Sequence, residues 1–170
     1  MANAAYAYLA DDYLDPMPQA SNAGGIEICR NFSFNIATGL VKSANTVFPI
    51  LADTIKLCII PGTMGIVVTD WFIDVPEMDG GTTVTWQLGD TTTVAKFMAA
   101  NAVGQSPGVV SMPDDGVLGV VPLAYKPDGT AARRGDKDLI LTCSAGPGDA
   151  TTGIIKGWLR YVQYGIATLL

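Results

Sequence analysis

The sequence predicts an all-β fold: a single β-sandwich with jelly-roll-like connections, one short helix and an extended N-terminal arm. Four segments place β-branched or aromatic residues at every second position and end in Gly, Pro or Asp, which is typical of strands with one buried face. Small turns separate further short strand signals. The amphipathic helices that the crossovers of a parallel α/β fold require are missing. The four segments are 66–75, 82–90, 138–146 and 151–165.

The chain length fits one domain preceded by an arm. The sequence has 170 residues, of which 49% are apolar, enough for one substantial core. We expect a sandwich over 26–170 and an arm over 1–25, because the first segment is rich in Ala, Tyr and Asp and ends in Pro and Gly. Its composition also allows a short helix over about 3–14. On this interpretation, deleting residues 2–22 leaves the sandwich folded.

Strand signals begin at Ile26. After weak candidates at 26–34 and 46–51, the segment 54–60 alternates until Pro61-Gly62 stops it. Two strong strands follow, and the DGG turn between them predicts a hairpin. The residues predicted to point inward are Val67, Thr69, Trp71, Ile73 and Val75 in the first strand and Val84, Trp86 and Leu88 in the second.

The single helix is predicted over 92–100. Val94, Phe97 and Met98 stand at helical spacing and follow threonines that can cap a helix. Later, Pro122 indicates an edge strand or a bend. The last two strands are joined by the turn AGPGDA. In the closing strand, the residues predicted on one face are Ile155, Leu159 and Tyr161, and those on the other are Lys156, Trp158 and Arg160.

Residue usage argues against several classes of function. The 16 acidic and 10 basic residues give a net charge of −6, which repels phosphate, so nucleic-acid binding is not expected. Histidine is absent, which removes the commonest metal ligand. The three cysteines are far apart and form no CxxC pair, so we expect buried free thiols in a protein made in a reducing cytoplasm. Neither a secretory signal nor a membrane-spanning run is recognisable.

Catalytic signatures are also missing from the sequence. It contains no GxSxG, Walker A, GxGxxG or HExxH motif. The acid pairs Asp70/Asp74 and Glu77/Asp79 have the chemistry that glycoside hydrolysis uses, but solvated or turn-capping positions explain them. The acidic loops at 114–116, 128–129 and 136–138 offer oxygen ligands for calcium, and turn chemistry explains these as well. We predict no enzymatic activity, no cofactor and no metal.

Aromatic and basic residues indicate contacts with other proteins. Arg and aromatic side chains are the usual carriers of interface energy. A frayed terminus and a solvated loop remain the alternatives for the arm and for the basic loop 126–137, and burial on both faces remains the alternative for the last strand. The predicted interface residues are Tyr6, Tyr8, Tyr13 and Leu14 in the arm, Arg133 and Arg134 in the loop, and Trp158 and Arg160 on the last strand.

The order of these motifs resembles a known group. A strand ending in TD, a DGG turn, TTVTWQLGD, a segment with Phe97, DLILTCSAG and TTGIIKGWLRYVQYG together resemble the small β-sandwich structural proteins of tailed bacteriophages, among them capsid decoration, or cement, proteins. The resemblance covers roughly residues 54–165 and does not include the arm. It implies a homo-oligomer, commonly a trimer, that sits on the outer capsid surface of the virion, bridges subunits of the major capsid protein and is assembled in the host cytoplasm.

Three function classes follow from the sequence. The first is a virion structural protein that decorates and stabilises a capsid. The second is a receptor- or carbohydrate-binding jelly roll, such as a head fibre or a tail component, which requires an exposed groove of aromatic and polar groups. The third is an enzyme, which requires turnover that is abolished by replacing one carboxylate.

Overall fold

The structure is a computed structural model, and it describes residues 5–11, 26–60, 65–80, 83–111, 123–125 and 137–164. These residues form ten strands and one helix. In chain order the elements are β1 (Ala7–Leu9), β2 (Ile26–Asn35), α1 (Ile36–Ser43), β3 (Thr54–Ile60), β4 (Gly65–Val75), β5 (Thr85–Asp90), β6 (Met98–Asn101), β7 (Gly108–Ser111), β8 (Leu123–Tyr125), β9 (Lys137–Ala145) and β10 (Ile154–Tyr164).

The strands form two sheets with the connections of a jelly roll. The first sheet has the order β1-β3-β9-β5-β6, and the second has the order β2-β10-β4-β7, with β8 also paired to β4. From β2 to β5, consecutive strands alternate between the two sheets. β9 then lies between β3 and β5, and β10 lies between β2 and β4. This is the double-sheet arrangement of a jelly roll. The predicted all-β sandwich with jelly-roll-like connections is therefore confirmed.

The core lies between the two sheets. Trp71 of β4 and Trp86 of β5 are almost completely buried, and the Trp86 ring lies 5.7 Å from the ring of Phe48. The predicted inward faces of β5 and β10 are confirmed, because alternate residues of each strand point to one side of a pleated sheet. The buried residues of these two faces are Val84, Trp86, Leu88, Ile155, Leu159 and Tyr161.

A β-bulge changes the predicted face of β4. The pairing with β10 shifts between Arg160 and Tyr161, so that Arg160 is opposite Asp70 while Tyr161 is opposite Val68. The extra residue, Thr69, drops out of the alternation. Val68 is consequently buried, whereas Thr69, predicted to point inward, is half-buried and donates a hydrogen bond from Oγ1 to Glu27 Oε1 (3.1 Å).

The predicted hairpin between β4 and β5 is wrong. The two strands lie in different sheets, and the intervening segment crosses from one sheet to the other. Asp79 stabilises this crossing, because its Oδ2 accepts hydrogen bonds from the backbone N–H of Thr83 (2.7 Å) and of Val84 (3.1 Å). β9 and β10 are likewise in different sheets, so the turn between them is also a sheet crossing.

The helix is elsewhere than predicted. Residues 92–97 form turns and Met98 begins β6, because Asp90 accepts hydrogen bonds at Oδ1 from the backbone of Thr92 and Thr93 (2.7 Å each) and returns the chain to the sheet. Helix α1 instead follows β2 directly, and the side chain of Asn35 caps its first turn. Within the described ranges, no helix is long and apolar enough to cross a membrane.

Candidate docking surface

The outer face of the second sheet carries an aromatic pair. Trp158 on β10 lies directly opposite Phe72 on β4, and their rings are stacked, with centroids 5.9 Å apart and planes inclined by 9°. The Arg160 guanidinium lies over the Trp158 ring, with Cζ 4.5 Å from the ring centroid. We call Trp158, Phe72 and Arg160 the outer aromatic patch.

The strand register explains why this patch faces outward. Along β10, Leu159 and Tyr161 fill the core, so Trp158 and Arg160 must point to the opposite side. Gly157 lies among the inward positions, and a Cβ at this residue would come within 2.9 Å of the Phe32 ring and still closer to the Phe72 carbonyl oxygen. Trp158 is half-buried and Arg160 is exposed, which excludes the alternative that this strand is buried on both faces.

Polar residues border the outer aromatic patch. Lys156 Nζ forms an ion pair with Asp74 Oδ2 (3.3 Å), and Asp70, opposite Arg160 in the register, accepts a hydrogen bond at Oδ1 from the Trp71 N–H (2.8 Å). Asn31 of β2 extends the row on one side of Trp158. An apolar centre with a polar rim is the usual anatomy of a protein–protein contact surface.

The N-terminal strand forms a second surface with both buried and exposed residues. β1 pairs in parallel with β3 at the edge of the first sheet, and Tyr8 is only 2% exposed. Its ring contacts those of Phe34 (centroids 5.3 Å apart) and Phe48 (5.2 Å). Tyr6 and Leu9, by contrast, are 40% and 46% exposed, and together with Gly39 they line a shallow groove.

The buried carboxylates hold turns in place. Asp53 is fully buried, and it accepts hydrogen bonds from the N–H of Tyr6 at Oδ1 (2.7 Å) and of Ile50 at Oδ2 (2.9 Å). Burial raises the pKa of its carboxyl, and the two backbone donors act in the opposite direction. Asp79 and Asp90 hold the two turns described above. Among the described residues, no group of His, Cys, Asp or Glu side chains could hold a metal ion.

Two solved structures are similar to this chain over most of its length. A chain in the capsid of Ralstonia phage GP4 is 21% identical, with a TM-score of 0.59, covering 94% of this chain and 99% of that chain. A chain in the capsid asymmetric unit of cyanophage Pam1 is 15% identical, with a TM-score of 0.52, covering 88% and 94% respectively. The chain shares its fold with phage capsid chains. No family model matches the sequence, and no curated protein is significantly similar to it.

The structure divides the predicted interface residues into four groups. Trp158 and Arg160 lie together on the outward face, as predicted, and Phe72 joins them as a residue that the sequence analysis missed. The β4 alternation could have identified Phe72, because its neighbours Trp71 and Ile73 were assigned inward.

Tyr6 is partly exposed. Tyr8 requires a correction, because it packs in this chain's own core and not against a neighbouring subunit, and it lies in strand β1 rather than in a helix. Tyr13, Leu14, Arg133 and Arg134 lie outside the described residues.

The three cysteines also differ from one another. Cys58 and Cys143 are buried, as expected, but Cys29 is exposed. Cys29 lies on the edge strand β2, opposite Arg160 in the register. Native protein therefore carries one accessible thiol beside the outer aromatic patch, and its reactivity can report on whether that face is covered.

Two buried groups titrate far above their ordinary range. Burial raises the pKa of Tyr161 from 10.0 to about 12, and Cys58 adds to this effect while Arg30 opposes it. The Tyr161 hydroxyl has no hydrogen-bond partner among the described residues. Burial likewise raises the pKa of Cys143 from 9.0 to about 12, with a further contribution from Asp53. Both groups are less readily ionised in the folded chain than in the unfolded chain, so both disfavour the folded state in alkali.

We expect the free energy of unfolding to fall as the pH rises from about 9 to about 12. Folded pKa values raised above the unfolded values give a contribution that is complete below the unfolded pKa and is lost as the pH approaches the folded pKa. For Tyr161, the rise from 10.0 to about 12 corresponds to about 3 kcal/mol. The Tyr161→Phe variant has no hydroxyl to ionise, so its unfolding free energy should fall less between about pH 9 and about pH 12 than that of wild type. At pH 8 its stability should be close to wild type. Urea unfolding at pH 8, 10 and 11 measures the free energy of unfolding, with Tyr6→Phe as the control. An unchanged alkaline loss in Tyr161→Phe would contradict the assignment.

Proposed function

We propose that this chain is a virion structural protein that decorates and stabilises the capsid of a tailed bacteriophage. In this role it bridges subunits of the major capsid protein on the outer surface and acts as a homotrimer without enzymatic activity. The observation that carries the proposal is the outer aromatic patch, which is presented outward by a jelly roll shared with two phage capsid chains.

The physical requirements of a capsid decoration protein match this structure. Such a protein needs a rigid scaffold and outward contact points, because many modest contacts add up when symmetry repeats them over a shell. The sandwich supplies a continuous core between two sheets, and the Trp158–Phe72 stack holds two large side chains in fixed positions on its surface. Holding the aromatic side chains in advance reduces the entropy that docking loses.

Binding to capsids tests the proposal directly. Purified protein is mixed with emptied, expanded heads of its own virus and sedimented, and bound protein is measured against protein concentration. We expect saturable binding to expanded heads, little binding to heads of an unrelated phage, and slower alkylation of Cys29 in the bound fraction. Protein that stays in the supernatant at every concentration would overturn the proposal.

A carbohydrate-binding jelly roll is the second candidate, and the outward Trp158 is the observation that favours it, since sugars stack on aromatic rings. In this chain the Trp158 ring is already engaged by Phe72 and by Arg160, which supports a protein contact instead. Trp71 and Trp86 are buried, so tryptophan quenching by acrylamide reports mainly on Trp158. Protection of this fluorescence by a host-surface polysaccharide would favour the second candidate.

A further inference from the structure

Arg160 differs from the three ion-paired lysines on the surface of the sandwich. Lys56, Lys96 and Lys156 each have a carboxylate oxygen within 4.0 Å. Within the part of the chain that the structure describes, the Arg160 guanidinium contacts the Trp158 ring and forms no ion pair. Asp70 lies opposite Arg160, but its Oδ1 accepts the hydrogen bond from the Trp71 N–H.

We propose that Arg160 binds a carboxylate of the partner protein, an Asp or Glu side chain that is flanked by an apolar group packing on Trp158 and Phe72. This inference rests on the proposed function, and it specifies the chemistry of the capsid surface that the outer aromatic patch recognises. A guanidinium offers a planar fork of N–H donors that matches the two oxygens of a carboxylate. Because the guanidinium is already stacked on Trp158 before binding, docking costs less side-chain entropy.

The charges around the patch favour one carboxylate over a polyanion. Asp70 and Asp74 lie on the neighbouring strand, and the whole chain carries a net charge of −6. A row of phosphates would lie close to these carboxylates as well as to Arg160. The negative charges of the phosphates and of this chain would repel each other at long range. A single carboxylate beside an apolar group reaches the guanidinium while its neighbours cover Trp158 and Phe72. The contact is therefore short-range, and we expect it to act mainly on the dissociation rate.

The first test uses iodide as an anionic probe on the isolated protein. Because Trp71 and Trp86 are buried, quenching by iodide reports mainly on Trp158, and acrylamide serves as the neutral comparison. A cation that is available to anions raises the local iodide concentration. Arg160→Gln should therefore lower the iodide quenching constant by about twofold relative to acrylamide. Lys156→Gln is the matched control, because Lys156 lies on the same strand but is already paired with Asp74. Equal effects of the two variants would overturn the inference.

The second test measures binding to expanded heads. Losing a charge-assisted hydrogen bond to the partner should weaken binding about 10- to 100-fold in Arg160→Gln. Arg160→Lys should retain part of the affinity, and Arg160→Glu should bind more weakly than Arg160→Gln. Lys56→Gln, which removes an ion-paired cation from the other sheet, should stay within about threefold of wild type. Wild-type binding combined with unchanged affinity of Arg160→Gln would overturn the inference and leave the proposed function standing. Failure of the wild-type protein to bind would overturn both.

Discussion

The Tyr8→Ala variant is expected to lose about 4 kcal/mol of unfolding free energy, because removing a buried aromatic ring leaves a cavity and forfeits its packing. Tyr8 is 2% exposed and contacts the rings of Phe34 and Phe48. Its hydroxyl donates a hydrogen bond to Ser43 Oγ (3.4 Å) and accepts one from Asn45 Nδ2 (3.2 Å). For a chain of this length the loss corresponds to a decrease in Tm of about 10 °C.

Two control variants separate the ring of Tyr8 from its hydroxyl and from its neighbour. Tyr8→Phe keeps the ring and should lose only about 1 kcal/mol. Tyr6→Ala keeps the backbone N–H that donates to Asp53, so it should change stability by less than about 1 kcal/mol. Deleting residues 2–11 should destabilise at least as much as Tyr8→Ala, which reverses the expectation from the sequence for a dispensable arm. An unchanged urea midpoint in Tyr8→Ala would show that β1 is not docked in solution.

The Trp158→Ala variant is expected to bind expanded heads at least about 30-fold more weakly, because a central aromatic anchor commonly contributes about 2 kcal/mol or more to an interface. Its effect on stability should be small, about 1 to 2 kcal/mol, since Trp158 lies outside the core and loses only its cross-strand stack with Phe72 and its contact with the Arg160 guanidinium. Co-sedimentation and the alkylation rate of Cys29 measure binding, and thermal unfolding measures stability.

The matched control for Trp158 is Leu51→Ala. Leu51 is a large apolar residue, 60% exposed, that precedes β3 of the first sheet and is remote in sequence from the patch. The Leu51→Ala variant should bind expanded heads as tightly as the wild-type protein. Equal affinity of Trp158→Ala and Leu51→Ala would place the contact surface elsewhere on the molecule, even if wild-type protein decorates heads.

Local alternation in the sequence predicted much of the fold and part of the docking surface. The inward faces of β5 and β10, and with them the outward direction of Trp158 and Arg160, follow from a period of two along single strands. Such a pattern carries no information about which strand is a neighbour. The DGG motif after β4 suggested a hairpin, but the chain crosses between sheets there. The Asp79 carboxylate accepts hydrogen bonds from the backbone N–H groups of the two residues that precede β5.

The missed features depend on contacts between distant residues. The bulge opposite Arg160 and Tyr161 moves Val68 into the core, and no local pattern marks its position. Of the three residues at helical spacing, Phe97 in the turn and Met98 at the start of β6 are buried, whereas Val94 is 45% exposed, so the spacing does not reflect one helical face. Tyr8 was predicted to contact a neighbouring subunit, because its large apolar ring indicates that it packs against other apolar groups. The sequence does not show that these groups are Phe34 and Phe48 of the same chain.

The strand order has a consequence for how the polypeptide reaches its native state. β10 lies between β2 and β4, and β9 lies between β3 and β5, so the middle of each layer is made by residues synthesised after position 136. Pairing between segments that are far apart in the sequence is slow, on the order of milliseconds to seconds for sandwiches of this kind. We expect the nascent polypeptide to complete neither layer until residues 137–164 have been synthesised, with β2 and β4 lacking their common neighbour until that moment.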